Sequence, residues 1–279
     1  MNESESLYNE IVSDIERGSL TLPTLPAVAI KVRAIVDDAD ASVTDLANII
    51  GTDPALAAQL IRAVNSPLYR GRSPIDNVQA AVARLGRKMV KSLVTTLVMK
   101  QIFQPSSRLL QLHLQLIWEY STEVAAACHT LANGQASINA DDAMLAGLVH
   151  KIGALPILTK AEGMPELLAD APALDSVIKS LHATVGKAIV EAWGFSDSMV
   201  AAIAEHDDLT RDSVDGPDLV DIIQVAITQI PHPSNQILSD NYLQGIPAFR
   251  KLGIDPGVGV LELDVNSQAY EDALTLFNL

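Results

Sequence analysis

From Val82 onward the apolar residues Leu85, Met89, Leu93 and Leu97 return at intervals of three and four, with Arg84, Arg87, Lys88 and Lys91 on the flanks. That spacing is one stripe of an amphipathic helix and predicts a helix through this stretch. Start signals recur along the chain. Ser42 with Asp45 three residues on has the form of a capping box, Asp53 before Pro54 reads as an N-cap with proline at the first helical position, and Asp141 precedes Asp142 and Ala143. Pro26 just before Ala27 fits the first position of another helix, with Pro23 restraining the lead-in. Stop signals match them: Asn65-Ser66-Pro67 ends one helix, Gly71 to Pro74 forms a turn, and Gly134 and Gly194 sit just past periodic segments. The side chains of Asn65 and Ser66 are expected to satisfy free backbone groups at their helix end. No hairpin dipeptide separates alternating runs. Val258 to Val265 is the one strand-like stretch, and it reads equally as a loop or a last helix. The pattern predicts an all-α fold.

Composition sharpens this picture. Of 279 residues 48% are hydrophobic and only 4% aromatic, so Ala, Leu, Ile and Val build a sizeable core of closely packed helices. Proline and serines near Gln104 to Ser107 interrupt two helical patterns and suggest an N-terminal lobe over 1–105 and a C-terminal lobe over 106–279. Arg211 to Asp218 reads as an internal connection. A net charge of −15 repels nucleic-acid phosphates and anionic lipid, which argues against bulk nucleic-acid binding and membrane attachment. The apolar runs Ser92 to Met99 and Leu109 to Trp118 are interrupted by polar residues, and a span needs about 20 continuous apolar residues, so none is expected. Cys128 is the single cysteine and the first ten residues lack the apolar stretch of a signal peptide, which suits a reduced, cytoplasmic protein. Cys128 and His129 are neighbours in a helix and point about 100° apart, so they do not form a nucleophile and base pair. Phosphate-loop, nucleophile-elbow, HExxH and paired-cysteine patterns are absent from the sequence.

Several segments together are specific. LPTLPAVAIKV (Leu22 to Val32), TDPALAAQLIRAVNSPLY (Thr52 to Tyr69) and AAVARLG (Ala80 to Gly86) resemble, in order and spacing, the HDOD domain, a bacterial signalling module related to the HD-type metal-dependent phosphohydrolases. LAGLVHKIGALPIL (Leu145 to Leu158) is similar to the family's segment around its His-Asp pair. HATVGKAIVEAWGF (His182 to Phe195) and IAEHD (Ile203 to Asp207) are similar to its later histidine helices. The resemblance implies an N-terminal helical bundle packed on a C-terminal HD-like lobe.

It also implies where a metal site would be. An HD-type site gathers imidazoles and carboxylates from different helices on divalent metal, which lowers the pKa of a bound water. At three positions that the resemblance assigns to ligands, this chain has Tyr120, Lys151 and Ile227. Lys151 follows His150 where the family's carboxylate stands, and an ammonium there repels a cation. His150, His182, His206 and Asp207 remain as candidates. The three histidines would bind zinc, iron or manganese if they met in space. Otherwise His182, which shares a face with Ile178, Val185, Ile189 and Trp193, is a hydrogen-bonded core histidine. His150 on its small-residue face serves helix packing, and His206 and Asp207 are solvated ahead of a polar loop.

Against the overall charge, Arg70, Arg72, Arg84, Arg87, Lys88 and Lys91 stand out as a basic cluster that could meet an acidic partner, a phosphate or a nucleotide, or could be an ordinary solvated face. The expectation is therefore a non-catalytic signalling module that binds a protein partner or small ligand, without a cofactor. The alternative, implied by the wider HD superfamily, is a phosphohydrolase of a nucleotide or cyclic dinucleotide using Mn, Fe, Zn or Mg.

Overall fold

The computed structural model describes residues 3–104, 107–231, 240–259 and 264–278, and every regular element among them is an α-helix. The first half carries α1 (Glu3–Glu16), α2 (Ala27–Asp37), α3 (Val43–Gly51), α4 (Pro54–Val64), α5 (Val78–Leu85) and α6 (Arg87–Ile102). The second carries α7 (Gln111–Ala132), α8 (Ala140–Val149), α9 (Ala154–Ala161), α10 (Pro165–Ala169), α11 (Ala171–Ala192), α12 (Asp197–Glu205), α13 (Leu219–Gln229), α14 (Asp240–Gln244), α15 (Pro247–Leu252) and α16 (Asp264–Phe277).

Local chemistry explains most boundaries. Ser42 accepts from the Asp45 backbone N–H while Asp45 accepts from that of Ser42, a complete capping box on α3. Asp53 accepts from the backbone N–H groups of Ala55 and Leu56, both at 3.0 Å, and Pro54 opens α4. Asn65 donates to Ile61 O and Ile75 O and accepts from Ile75 N–H, which ties the end of α4 to the loop before α5 and fixes its role as structural. Ser66 departs from expectation: its buried hydroxyl finds no hydrogen-bond partner among the described residues.

Three other expectations are corrected. The stripe from Val82 to Leu97 is shared by two helices, because Gly86 at φ +80° breaks α5 from α6 while keeping both apolar faces inward. Pro26 is the extended N-cap of α2 and not its first helical residue. The start of α8 is set by Asn139, which accepts from Asp142 N–H, and Asp141 is turned inward instead. Of the strand-like stretch, 260–263 lie outside the described residues, and α16 begins at Asp264.

Helices α2 to α6 pack on one another, and α7 to α13, α15 and α16 form the second lobe. Pro105 and Ser106, at the border read from sequence, lie outside the described residues. α1 crosses that border in space, since it packs on α9, α10 and α11. The lobes join through α6 and α8 and through named polar contacts. Tyr69 donates to Asp141 at 2.6 Å, Ser92 to Asp142 at 2.6 Å, Arg33 to Gly194 O at 2.8 Å and the Trp193 indole to Pro23 O at 2.9 Å. The Arg33 guanidinium also lies 4.0 Å from the centre of the Phe195 ring. A single apolar core runs through both lobes.

Ala140–Ala161 reaches the length and hydropathy of a membrane span, where the sequence reading expected none, but 83% of its apolar window is buried inside the fold. It is a core hairpin: α8 ends at Val149, the four residues His150 to Gly153 turn, and α9 returns.

Candidate functional site

Three close backbone approaches assemble the second lobe around one point. A Cβ on Gly147 of α8 would stand 2.8 Å from the Ala125 Cα and 2.9 Å from the Cys128 sulfur of α7. A Cβ on Gly153, in the turn after α8, would stand 2.0 Å from the carbonyl oxygen of His182 in α11, and one on Gly186 would stand 2.8 Å from Ile203 of α12. Only glycine permits these distances, and they draw the ends of α8 and α12 against the middle of α11.

That convergence brings the three histidines together. His150 caps α8, His182 lies within α11, and His206 caps α12; each is 2% exposed or less. Each donates its Nδ1–H to a carbonyl of its own helix: His150 to Gly147 at 2.6 Å, His182 to Ile178 at 2.9 Å and His206 to Ile203 at 2.9 Å. This pattern assigns the proton of each neutral ring to Nδ1 and leaves Nε2 with a free lone pair. The Nε2 atoms of His182 and His206 are 3.2 Å apart, and the His150 ring centre is 5.3 Å from that of His206. His150 Nε2 is buried with no hydrogen-bond partner among the described residues. The Asp207 carboxylate reaches in from the solvent side, 3.2 Å from His182 Nε2 and 3.6 Å from His206 Nε2. Burial holds all three imidazoles below their ordinary pKa, His206 at about 4, so they are neutral ligands near pH 7.

His206 is thus a buried member of the cluster, not a solvated residue ahead of a loop. His150 and His182 are indeed hydrogen-bonded core histidines, yet only through Nδ1. Their second nitrogens remain available.

The replaced positions tell the other half. Lys151 is half-buried, its Nζ lies 5.0 Å from the centre of the Tyr120 ring, and that ring lies 5.6 Å from His150. Burial lowers the Lys151 pKa, while Asp207 and Asp175 oppose that shift. Ile227 packs in the partly buried shell of the core on α13. At the position that the resemblance gives to a bridging carboxylate, the residue after His150 contributes an ammonium, which opposes a pair of divalent ions there. A single cation does fit the nearer donors: the Nε2 atoms of His182 and His206 and the Asp207 carboxylate lie within 4.8 Å of one another, with the His150 ring beside them.

A support that sequence reading missed holds this set from behind. Gln224 on α13 donates to Asp208 O at 2.7 Å and to Glu205 O at 3.5 Å, clamping the carbonyls that flank His206 and Asp207. Farther along the same loop Arg211 binds Glu205 at 2.6 Å and Asp218 at 2.7 Å, and Lys251 donates to buried Asp221 at 2.6 Å and to Ser213 at 2.6 Å. The spacing of Asp218 and Asp221, a second complete capping box, was the available signal for this anchor.

The basic cluster divides. Arg87 spends its guanidinium on the backbone carbonyls of Ile35, Val36, Asp38 and Ala41 at the end of α2 and the loop after it. Arg84 donates to Ser73 O, and Lys91 pairs with Asp37. Arg70, Arg72 and Lys88 are exposed and form no ion pair among the described residues. Cys128 is fully buried, which pushes its thiol pKa up and leaves it unreactive.

Residues 22–209 match the family model of the HDOD domain, a span that holds both the first lobe's proline and asparagine motifs and all of His150, His182, His206 and Asp207. The chain belongs to the HDOD family. Gln224 and Ile227 lie beyond the matched HDOD segment. Among solved structures, a protein of Shewanella amazonensis SB2B provisionally named a metal-dependent phosphohydrolase is 29% identical, with TM-score 0.85 over 99% of this chain and 100% of the other. An HDOD domain protein of unknown function from Geobacter sulfurreducens is 22% identical, with TM-score 0.69 over 98% of each chain. A protein of Marinobacter aquaeolei VT8 provisionally named for signal transduction is 18% identical, with TM-score 0.65 over 100% of this chain and 67% of the other. The chain spans 38% of the length of the curated relative it matches, an uncharacterized protein of Treponema pallidum (strain Nichols) that is 22% identical over 199 residues.

Proposed function

We propose that this HDOD chain is a non-hydrolytic signal-transduction module that works by binding a protein partner or small ligand in a reduced, cytoplasmic compartment. The single observation that carries this reading is Lys151. Its ammonium packs over Tyr120, and the resemblance assigns both positions to metal ligands, which supports a chain that has given up chemistry needing two bridged metals. The remaining donors, His182, His206 and Asp207, suit a single ion that ties α11 to the end of α12, a structural use of the site. The membership in HDOD and the signal-transduction name of the Marinobacter aquaeolei relative support the regulatory part of the reading.

A second reading has one observation in its favour. The convergence of His182, His206 and Asp207 beside His150 keeps part of the arrangement that the resemblance gives to a phosphohydrolase site, and the Shewanella amazonensis relative carries that name. One assay separates the two. Purified protein is loaded in turn with Mn, Fe, Zn and Mg and given bis(p-nitrophenyl) phosphate and a cyclic dinucleotide. The regulatory reading expects no turnover with any metal, including one shown by elemental analysis to be bound. Turnover that disappears in His182→Ala and persists in Arg72→Ala would establish the hydrolase instead.

A further inference from the structure

The first half of α7 presents an apolar stripe to solvent. Leu112 and Leu116 on the helix, and Leu109 in the turn before it, are 62%, 52% and 60% exposed. The opposite face of the same helix is ordinary core, with Leu110 and Leu114 buried. Leucines at i, i+3 and i+7 with more than half their surface in water form a contiguous patch, and such a patch marks a contact surface. Farther along, from Tyr120 to Ala132, α7 is covered by α8, α13 and α16, so the open stripe is confined to its first turns.

Charges at the two ends of the stripe identify what it fits. Arg108 is exposed at the N-terminal end and forms no ion pair among the described residues. Exposed Glu119 at the other end is met by Gln115 of its own helix, and Glu123 one turn on has its pKa raised by burial and by the Glu119 charge. The stripe therefore reads cation, three leucines, anion, an order that is complementary to itself when reversed. Two copies of α7 laid antiparallel about a two-fold axis beside residue 114 set Leu112 of one against Leu116 of the other. The same register brings Arg108 within one residue's rise, about 1.5 Å, of Glu119 of the second copy, and symmetry forms the pair twice. A heterologous acidic or basic helix would match only one end.

We propose that the chain forms a two-fold dimer through the exposed face of Leu109, Leu112 and Leu116 on α7, with Arg108 of each copy paired to Glu119 of the other. The test is the mass of the full chain in solution by sedimentation equilibrium across a wide concentration range. Wild type is expected to be dimeric. Leu112→Gln with Leu116→Gln should be a folded monomer, with helical circular dichroism unchanged because these side chains support no core. Arg108→Glu should weaken self-association about tenfold, since two like-charge contacts replace two ion pairs. Arg108→Glu combined with Glu119→Arg should restore it, a rescue that general surface stickiness cannot give. A wild type that stays monomeric at every concentration would assign the stripe to a different molecule and overturn the proposal. A dimer that survives the double leucine change would place the interface elsewhere and overturn it equally.

Discussion

His182 and His206 face each other through Nε2 at 3.2 Å, and neither ring has a hydrogen to give there, because Ile178 O and Ile203 O hold the protons on Nδ1. Two lone pairs at that distance repel unless something positive lies between them. A proton can serve, but burial opposes charging either ring. A metal ion would serve better, since the Asp207 carboxylate adds a third donor within 4.8 Å of both nitrogens without protonating anything.

Zinc is accordingly expected to bind near one equivalent, measured by titration with a competing chromogenic chelator at pH 7.5. His182→Ala and His206→Ala should each abolish tight binding. Lys151→Asp should strengthen it about tenfold, since a nearby positive charge is exchanged for a negative one. If the histidine variants bind zinc as wild type does, the ion sits elsewhere.

Gly153 is expected to be intolerant of any side chain. Alanine there would force its Cβ to within 2.0 Å of the His182 carbonyl oxygen, so the turn must move off α11, at a cost of about 3 kcal/mol or more. Gly134→Ala is the control, because its Cβ would meet only Leu131 O, at 3.5 Å. Thermal unfolding should show a large drop in Tm for Gly153→Ala and a small change for Gly134→Ala; equal effects would refute the steric account.

Arg87 should matter for stability more than for recognition. Its guanidinium donates to carbonyls at the end of α2 and in the loop after it, so Arg87→Ala should destabilise by about 2 kcal/mol. Arg70→Ala and Arg72→Ala should stay within about 0.5 kcal/mol of wild type. Urea unfolding of the three variants decides the matter, and an unfolding midpoint unchanged in Arg87→Ala would return that residue to the exposed basic face.

These cases show what the sequence carried. Helices, their caps and the family were legible, because a capping box such as Ser42 with Asp45 or an N-cap such as Asp53 is a local event written within four residues. Gly86 was visible as a residue, but whether an apolar stripe continues through it depends on the packing of both halves. The histidines could be named as candidates and not joined, since their meeting depends on Gly153 and Gly186 tolerating contacts that no single helix reveals. His206 looked solvated because its neighbours Asp207 and Asp208 are polar. It is buried because Gln224, on a helix more than a dozen residues away, holds the carbonyls on both sides of it.

His129 supplies a pH dependence remote from the convergent histidines. It is 6% exposed in α7, and burial lowers its pKa from 6.5 to about 4. Between those values the unfolded chain binds a proton that the folded chain refuses, so stability is complete above about pH 6.5 and is lost as the pH falls toward 4. The linked loss is about 3 kcal/mol over that window, at roughly 1.4 kcal/mol per pH unit. A His129→Leu variant removes the titrating group while keeping an apolar side chain in the same space. Relative to wild type it should therefore gain about 2–3 kcal/mol in urea unfolding on going from pH 7 to pH 4.5. Parallel stability curves for the two proteins across that range would show that His129 takes up its proton without leaving the fold, and the buried neutral imidazole would have to be abandoned.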